Sequence, residues 1–341
     1  MKLFKKIFFI VVTIGALYLI SSCGNGTNND NKNTDSLTTK NINIPDFNSD
    51  SAYNYIAKQV EFGPRVPNSI SHKKCAAYLV EMLKKYCDTV YVQEAKVKAF
   101  DGKMLEMKNI IGSIKPDINN RIFISSHWDS RPFADHDPDV KNQKDPVPAA
   151  NDGASGVGVI IELARLLHSN QPPIGIDFIL FDTEDYGQPE VSDYPEQPDS
   201  WCLGSQYWSK NPHVKKYYAK YGILLDMVGA ENATFYKEGV SMQYAPDIVK
   251  KVWDAASGIG YSDYFLFAES GELIDDHKYI NEIAHIPTID IIHRDADSKS
   301  GFYKYWHTTK DDMAGINKNT LKAVGQTLLK VIFEEDSYAS K

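Results

Sequence analysis

The chain is short of cysteine, of basic runs and of long apolar stretches, and each shortage removes a class of function. Four cysteines stand among 341 residues, with no Cys-x-x-Cys pair and no cysteine–histidine cluster, so a thiolate zinc site has no ligands here. Cys75 and Cys87, if they share one helix, sit about 18 Å apart along it and cannot bridge. With Cys202 they make an odd set of three after Cys23, which leaves at least one free thiol and points to structural roles. The net charge is −8, and no block of Lys or Arg breaks the body of the chain, which argues against nucleic acid as a partner. The one long apolar run, residues 7–20, is too short to span a bilayer comfortably. There is no internal repeat, and neither a coiled coil nor an apolar stripe marks an oligomer interface.

What is present at the amino end is a targeting pattern. Lys2, Lys5 and Lys6 precede the apolar run, and small residues follow it, so residues 1–22 read as a signal peptide. Ile20-Ser21-Ser22-Cys23-Gly24 resembles a bacterial lipoprotein cleavage box. That resemblance implies cleavage before Cys23, acylation of its thiol, and a soluble body in the periplasm that meets the membrane only through its lipid. Residues 23–45, rich in Asn, Thr, Ser and Asp, have almost nothing to bury and read as a flexible tether. Residues 46–341 carry periodic segments without another such linker and read as one α/β domain.

Helical spacing predicts helices over 50–62, 71–86, 153–168 and 319–334. Apolar or alternating runs predict strands over 89–97, 109–114, 121–126, 176–181, 221–228 and 287–292. The alternation points to a three-layer α/β fold, with a mixed, mostly parallel central sheet between helices on both faces. Ligands of such sheets gather outside the carboxyl ends of the strands.

The residues at those ends carry chemistry. The 176–181 strand runs into Asp182-Thr183-Glu184-Asp185, whose adjacent acids point in different directions, so that one can bind a metal while the other handles protons. The 121–126 strand exits into His127-Trp128-Asp129, where the carboxylate can orient the imidazole. Asp152, in Asn151-Asp152-Gly153-Ala154-Ser155-Gly156, stands at a helix mouth, where it suits either an N-cap or a metal. Asp226 follows Leu224-Leu225 and needs a metal, a shared proton or a hydrogen-bond partner if buried. His307 lies in Tyr305-Trp306-His307-Thr308-Thr309 after a polar loop. Nitrogen and carboxylate groups recurring at one rim suit zinc. Residues 187–200 form a polar, Pro-rich loop of the kind that shapes access to a site, with Trp201 at its end as a pocket-lining candidate; residues 293–305 are expected to act similarly from another side.

The ordered set His-x-Asp, Asn-Asp-Gly-Ala-Ser-Gly, acid–acid, Leu-Asp-Met-Val-Gly and His-Thr resembles the M28-type zinc exopeptidases. Asp275-Asp276-His277, Trp306-His307 and Cys202-Leu203-Gly204-Ser205-Gln206 are more similar to the animal-type glutaminyl cyclases and their bacterial relatives. The resemblance implies one catalytic zinc held by Asp152, Asp185 and His307, with Glu184 as the proton shuttle. It also implies a hydrogen-bonded carboxylate pair from Asp226 and Asp275, which Asp290 is placed to join. The substrates implied are peptides or proteins with N-terminal glutamine. Trp306 suits either a cover for the small glutamine ring or plain packing, and His127 and Trp201 complete the expected substrate contacts. Asp185 departs from the glutamate found in many relatives; its shorter arm moves the metal by about one bond length or requires compensation by the backbone.

Two rival readings use the same residues. A two-metal aminopeptidase would take His127, Asp152, Asp185, Asp226 and His307 as ligands and Glu184 to activate water. A binding lipoprotein would keep the fold without catalysis, and the intact Glu184 speaks against it.

Overall fold

The structure, a computed structural model, describes residues 43–335. The signal segment 1–22, Cys23 and nearly all of the tether expected over 23–45 lie outside the described residues. In chain order the elements are α1 Ser49–Glu61, α2 Ile70–Tyr86, β1 Thr89–Lys98, β2 Met104–Ile114, β3 Arg121–His127, α3 Ala154–Ser169, β4 Gly175–Phe181, α4 Leu203–Lys210 and β5 Gly222–Asp226. They continue with β6 Phe235–Lys237, α5 Gly239–Tyr244, α6 Pro246–Gly258, β7 Phe265–Glu269, α7 Asp276–Tyr279, β8 Thr288–Ile292 and α8 Lys318–Glu334. No helix among them is long and apolar enough to cross a membrane.

Six strands pair in the order β1-β2-β4-β3-β5-β8. β4, β3, β5 and β8 are mutually parallel, and β1 and β2 add antiparallel at one edge. The pleat decides which side chain enters which core. Ile122, Ile124, Ile176, Phe178, Leu180, Ile223 and Leu225 join the large cluster that also holds residues of α1, α2, α3 and α8. Their neighbours Phe123, Ile179 and Phe181 point the other way, onto Trp208 of α4 and Ile280 after α7. The result is three layers around a mixed sheet, as the strand–helix alternation predicts.

The chain leaves β3 for β4 on one side and later returns to β5 on the other. That reversal opens a crevice at the carboxyl ends of the parallel strands, which is where open α/β sheets bind ligands. Two expectations change. The strand expected over 221–228 ends at Asp226, because Met227 adopts a left-handed backbone (φ 50°) that turns the chain out of the sheet. β2 starts five residues earlier than expected, because Met104–Lys108 pairs with β1 alone and runs past β4. The helix α6 and the small parallel pair β6–β7 were not anticipated.

Candidate metal centre and active site

Asp152 immediately precedes α3 but does not cap it: Gly153 is the N-cap residue, and no side chain caps this helix. Instead its Oδ1 lies 2.9 Å from His127 Nε2 at the end of β3. Glycine is required next to it, since a Cβ on Gly153 would fall 2.6 Å from the His127 ring. The backbone at this point hangs on Asp311, whose two oxygens accept from Asn151 N at 2.9 Å and Asp152 N at 3.0 Å. Asn151 in turn accepts from Gly229 N at 2.8 Å, tying the turn before α3 to the exit of β5.

The adjacent acids after β4 are held in the same manner. Asp129 accepts from Glu184 N at 3.1 Å and from Asp185 N at 3.2 Å. Its Oδ1 also stands 3.5 Å from His127 Nδ1, so the orienting role expected of it covers both the imidazole and the acid pair. Asp185 projects to His307, with Oδ1 3.2 Å from Nε2, so the short arm does reach. His307 Nε2 is also 3.7 Å from Asp152 Oδ2, and its Nδ1 is 3.4 Å from Asp135 Oδ1. Asp135 is gripped by Arg131 through two 2.7 Å hydrogen bonds, a buried support of the kind that orients metal-binding imidazoles. Trp306 stacks on His307 at a centroid distance of 3.7 Å, and Trp201 lies nearly parallel to it at 5.9 Å.

Asp152, Asp185 and His307 therefore meet in one buried cluster. Asp152 Oδ2 and both Asp185 oxygens are buried without a hydrogen-bond partner. Burying such oxygens unpaired is costly, and a divalent cation relieves the cost. Two carboxylates and an imidazole are a donor set that suits zinc. His127, Asp152 and Asp226 form an overlapping second group, in which Asp226 Oδ1 lies 3.3 Å from His127 Nε2.

Glu184 stands beside the cluster and at the wall of a cavity of about 740 Å³. Burial pushes its carboxyl well above the ordinary glutamate range; the positive pull of His127 opposes this, and Asp185, Asp275 and Asp276 add to it. Burial, followed by the charge of Asp152, moves Asp226 up to about 7.

Asp226 and Asp275, expected as a hydrogen-bonded pair, both line the cavity, and the charge of Asp275 helps to raise Asp226. Asp275 Oδ1 accepts from Asp276 N at 2.5 Å, while its Oδ2 and both Asp290 oxygens are buried without a hydrogen-bond partner. Asp226 Oδ1 is drawn to His127 Nε2 at 3.3 Å. Behind the acid pair, His277 Nε2 lies 2.9 Å from Glu238 Oε2.

Trp306, Trp201, Asp275 and Asp226 all line the cavity with Glu184 and the metal cluster. His127, expected among the substrate contacts, is absent from that lining and lies buried beneath Asp152 and Asp226. The 187–200 loop does form one wall, through Gln188, Tyr194 and Glu196 among others. The 293–305 stretch differs from expectation. Only Phe302 of it reaches this cavity, while His293, Tyr303 and Tyr305 line a separate one of about 730 Å³. Sequence reading missed Asp311, Arg131 and Asp135. Arg131 and Asp135 stand four apart with opposite charge, and Asp311 lies four residues after His307, which were the available signals.

A buried cation cradle at the carboxyl rim of a parallel sheet, with an ionisable glutamate at its side, defines an α/β metalloenzyme of the zinc exopeptidase type. Residues 109–332 match the model of peptidase family M28, and the chain belongs to that family. It is 54% identical to a solved Zn-dependent exopeptidase from Parabacteroides distasonis, with a TM-score of 0.84 over 86% of this chain and 100% of that one. It is 52% identical to the glutaminyl cyclase of Bacteroides thetaiotaomicron, solved with N-acetylhistamine, over the same shares with a TM-score of 0.85. The glutaminyl cyclase of Tannerella forsythia gives 52% and 0.84 over the same shares. Aminopeptidase YwaD of Bacillus subtilis is 27% identical over 80% of this chain, which spans about half (54%) of that protein's length.

Proposed function

We propose that the protein is a zinc-dependent glutaminyl cyclase, which converts the N-terminal glutamine of peptides or proteins to pyroglutamate and releases ammonia. The observation that carries this is the pairing of Glu184 with the Asp152–Asp185–His307 cradle in a chain about half identical to solved glutaminyl cyclases along their whole length. Zinc held by those three side chains supplies a Lewis acid for the carbonyl of the substrate's side-chain amide.

The rest falls to the protein. The α-amine and the amide carbon belong to one residue, so the cavity needs only to hold the folded side chain for ring closure to gain the advantage of proximity. As the new C–N bond forms, Glu184 accepts a proton from the attacking amine. As the old C–N bond breaks, it returns that proton to the departing nitrogen, which leaves as ammonia. A carboxyl raised by burial is suited to this, because it takes up a proton more readily than an exposed glutamate and can hand it on. Trp306 and Trp201, stacked along His307, offer flat apolar walls to a small ring. The carboxyls of Asp275 and Asp290, both raised by burial, keep the neighbouring wall from gathering further negative charge.

One ion per chain is the favoured stoichiometry. Two atoms bound to one tetrahedral zinc stand roughly 3.3 Å apart. His127 Nε2 and Asp152 Oδ1, at 2.9 Å, instead have the spacing of a direct hydrogen bond. The His127–Asp152–Asp226 group keeps a two-ion aminopeptidase as the second reading. We also propose export and lipid attachment at Cys23, supported by the Ile20-Ser21-Ser22-Cys23-Gly24 box; Cys23→Ser should move the protein out of the membrane fraction.

The test is a Gln-initiated peptide incubated with the protein, with and without chelator, and followed by mass. The expected result is a loss of about 17 Da, one ammonia, that the chelator abolishes. Release of the first residue from a Leu-initiated peptide, with two metal ions per chain, would overturn the reading.

A further inference from the structure

We propose that Cys202 is a positioning residue for Glu184, its thiol donating the hydrogen bond that fixes one carboxylate oxygen and leaves the other free to carry the proton. The inference rests on the role given to Glu184 above.

The thiol lies 3.4 Å from Glu184 Oε1 and, among the described residues, is the one hydrogen-bond donor to that carboxylate. The other oxygen, Oε2, faces His127 Nδ1 at 3.7 Å, beyond hydrogen-bond reach. Backbone geometry aims the thiol. Cys202 takes a left-handed conformation (φ 56°), as does Thr183 (φ 56°), and a residue with a side chain adopts it only where surrounding contacts impose it. Two backbone contacts do so: Cys202 N donates to Glu184 O at 3.0 Å, and Leu203 N donates to Thr183 O at 3.1 Å. The two strained turns are thus sewn together, and the 187–200 loop between them closes on its own base. Gln188 N donates to Ser200 Oγ at 3.0 Å, and a Cβ on Gly187 would fall 1.9 Å from the Trp201 ring. Trp201, which lies along His307, is therefore held by the same turn that presents the thiol.

A thiol suits the task. It is a weak donor, so it orients the carboxylate without withdrawing much of its basicity. It must stay protonated to donate, and burial, reinforced by Glu184, Asp276 and Asp275, pushes the Cys202 thiol well above its ordinary range. Cys75 and Cys87, also buried, contact no acid of the site and serve as internal comparisons.

The experiment compares Cys202→Ala, Cys202→Ser and the unchanged protein. In Cys202→Ala, kcat on a Gln-initiated peptide should fall roughly tenfold, the loss of one hydrogen bond to a charged group. KM, zinc content and melting temperature should hold, and Cys202→Ser should recover most of the loss because it restores a donor. The infrared S–H stretch of the zinc-free protein gives a readout that needs no turnover. The band missing from Cys202→Ala should lie below the free-thiol position in the unchanged protein and rise in Glu184→Gln. An unchanged kcat in Cys202→Ala overturns the proposal. So does failure of Cys202→Ser to recover activity, which would assign the thiol to packing, and so does an S–H band indifferent to Glu184→Gln. If the unchanged protein makes no pyroglutamate, the cyclase reading falls, while the S–H band still decides whether the thiol holds Glu184.

Discussion

The parallel strands carry buried charge at both ends, and the two ends treat it in opposite ways. At the amino end, Asp177 of β4 is saturated. Arg121, at the start of β3, donates to it at 2.7 and 2.6 Å, Ser113 at 2.5 Å and Tyr217 at 2.6 Å. At the carboxyl end of the same strands, both oxygens of Asp185 and one each of Asp152, Asp226 and Asp275 find no donor. Burial is equal, and satisfaction is not. A buried carboxylate with every lone pair engaged stabilises the fold, whereas a group of them left unpaired makes sense only if a cation or a moving proton completes it.

The sharpest way to break this contrast is to alter one residue at each end and measure both activity and stability. Glu184→Gln should lower turnover by about 10²–10⁴, the usual share of a general acid–base group, while zinc content and melting temperature hold. Unaltered turnover would remove Glu184 from the chemistry. Asp177→Ala should do the reverse. It leaves the Arg121 guanidinium buried without its partner, which costs about 3–5 kcal/mol of stability by denaturant titration, with zinc bound and kcat intact wherever the protein is folded. A fall in kcat without unfolding would mean that the two ends are coupled and the comparison false.

The legibility of the chain follows the same divide. Strand positions could be read because each face of the sheet is buried and the pleat imposes a period of two, as in Ile122, Phe123 and Ile124. The cradle could be anticipated because Asp152, Asp185 and His307 each follow a recognisable strand or loop exit. What could not be read is whatever depends on distance across the fold. The closeness of His127 to Asp226 is one such case, since a one-dimensional string does not say that the imidazole ending β3 will lie 3.3 Å from that carboxylate. Asp311, which fixes the backbone of Asn151 and Asp152, looks like an ordinary loop acid until its partners are in place, and nothing in the string says that Asp129, expected to orient an imidazole, also holds the backbone of Glu184 and Asp185. The helix α6 was missed although Pro246 marks its first turn and Val249, Val252, Trp253 and Ala256 recur at helical spacing along its buried face.

A smaller effect sharpens the comparison in the absence of metal. Asp185→Asn should weaken zinc retention on dialysis and yet raise the melting temperature of the zinc-free protein. Burial, and then the charge of Asp152, already hold the Asp185 carboxyl above its ordinary range, so its charged form is a burden on the empty fold. A gain of about 1 kcal/mol, a shift of roughly 2–4 °C, is expected. A zinc-free Asp185→Asn protein that melts lower than the unchanged one would show that Asp185 belongs with Asp177 among the structural carboxylates.

The smallest effect concerns Glu335, which also stabilises the amino end. Its carboxylate accepts from Tyr221 at 2.8 Å and from Lys220 at 3.0 Å, just ahead of β5, and contacts Lys251. Burial alone would raise its pKa, but hydrogen bonds from Lys251, Tyr221 and Lys220 together hold it below the usual glutamate value of 4.5. A carboxyl depressed in the folded state binds its proton more weakly there than in the unfolded chain. Its contribution is therefore present above the unfolded pKa and is lost as the pH falls through the folded one. Glu335 is buried, but its partners Lys220 and Lys251 are partly open to solvent, and screening leaves the contacts with only a modest share, on the order of 1 kcal/mol or less. Glu335→Gln should thus melt slightly lower than the unchanged protein at pH 7, and the gap should narrow steadily below about pH 4.5. A gap that stays constant over that acid range would mean that the Glu335 contacts stabilise by packing and not by charge, and would leave Asp177 as the one electrostatic anchor at that end of the sheet.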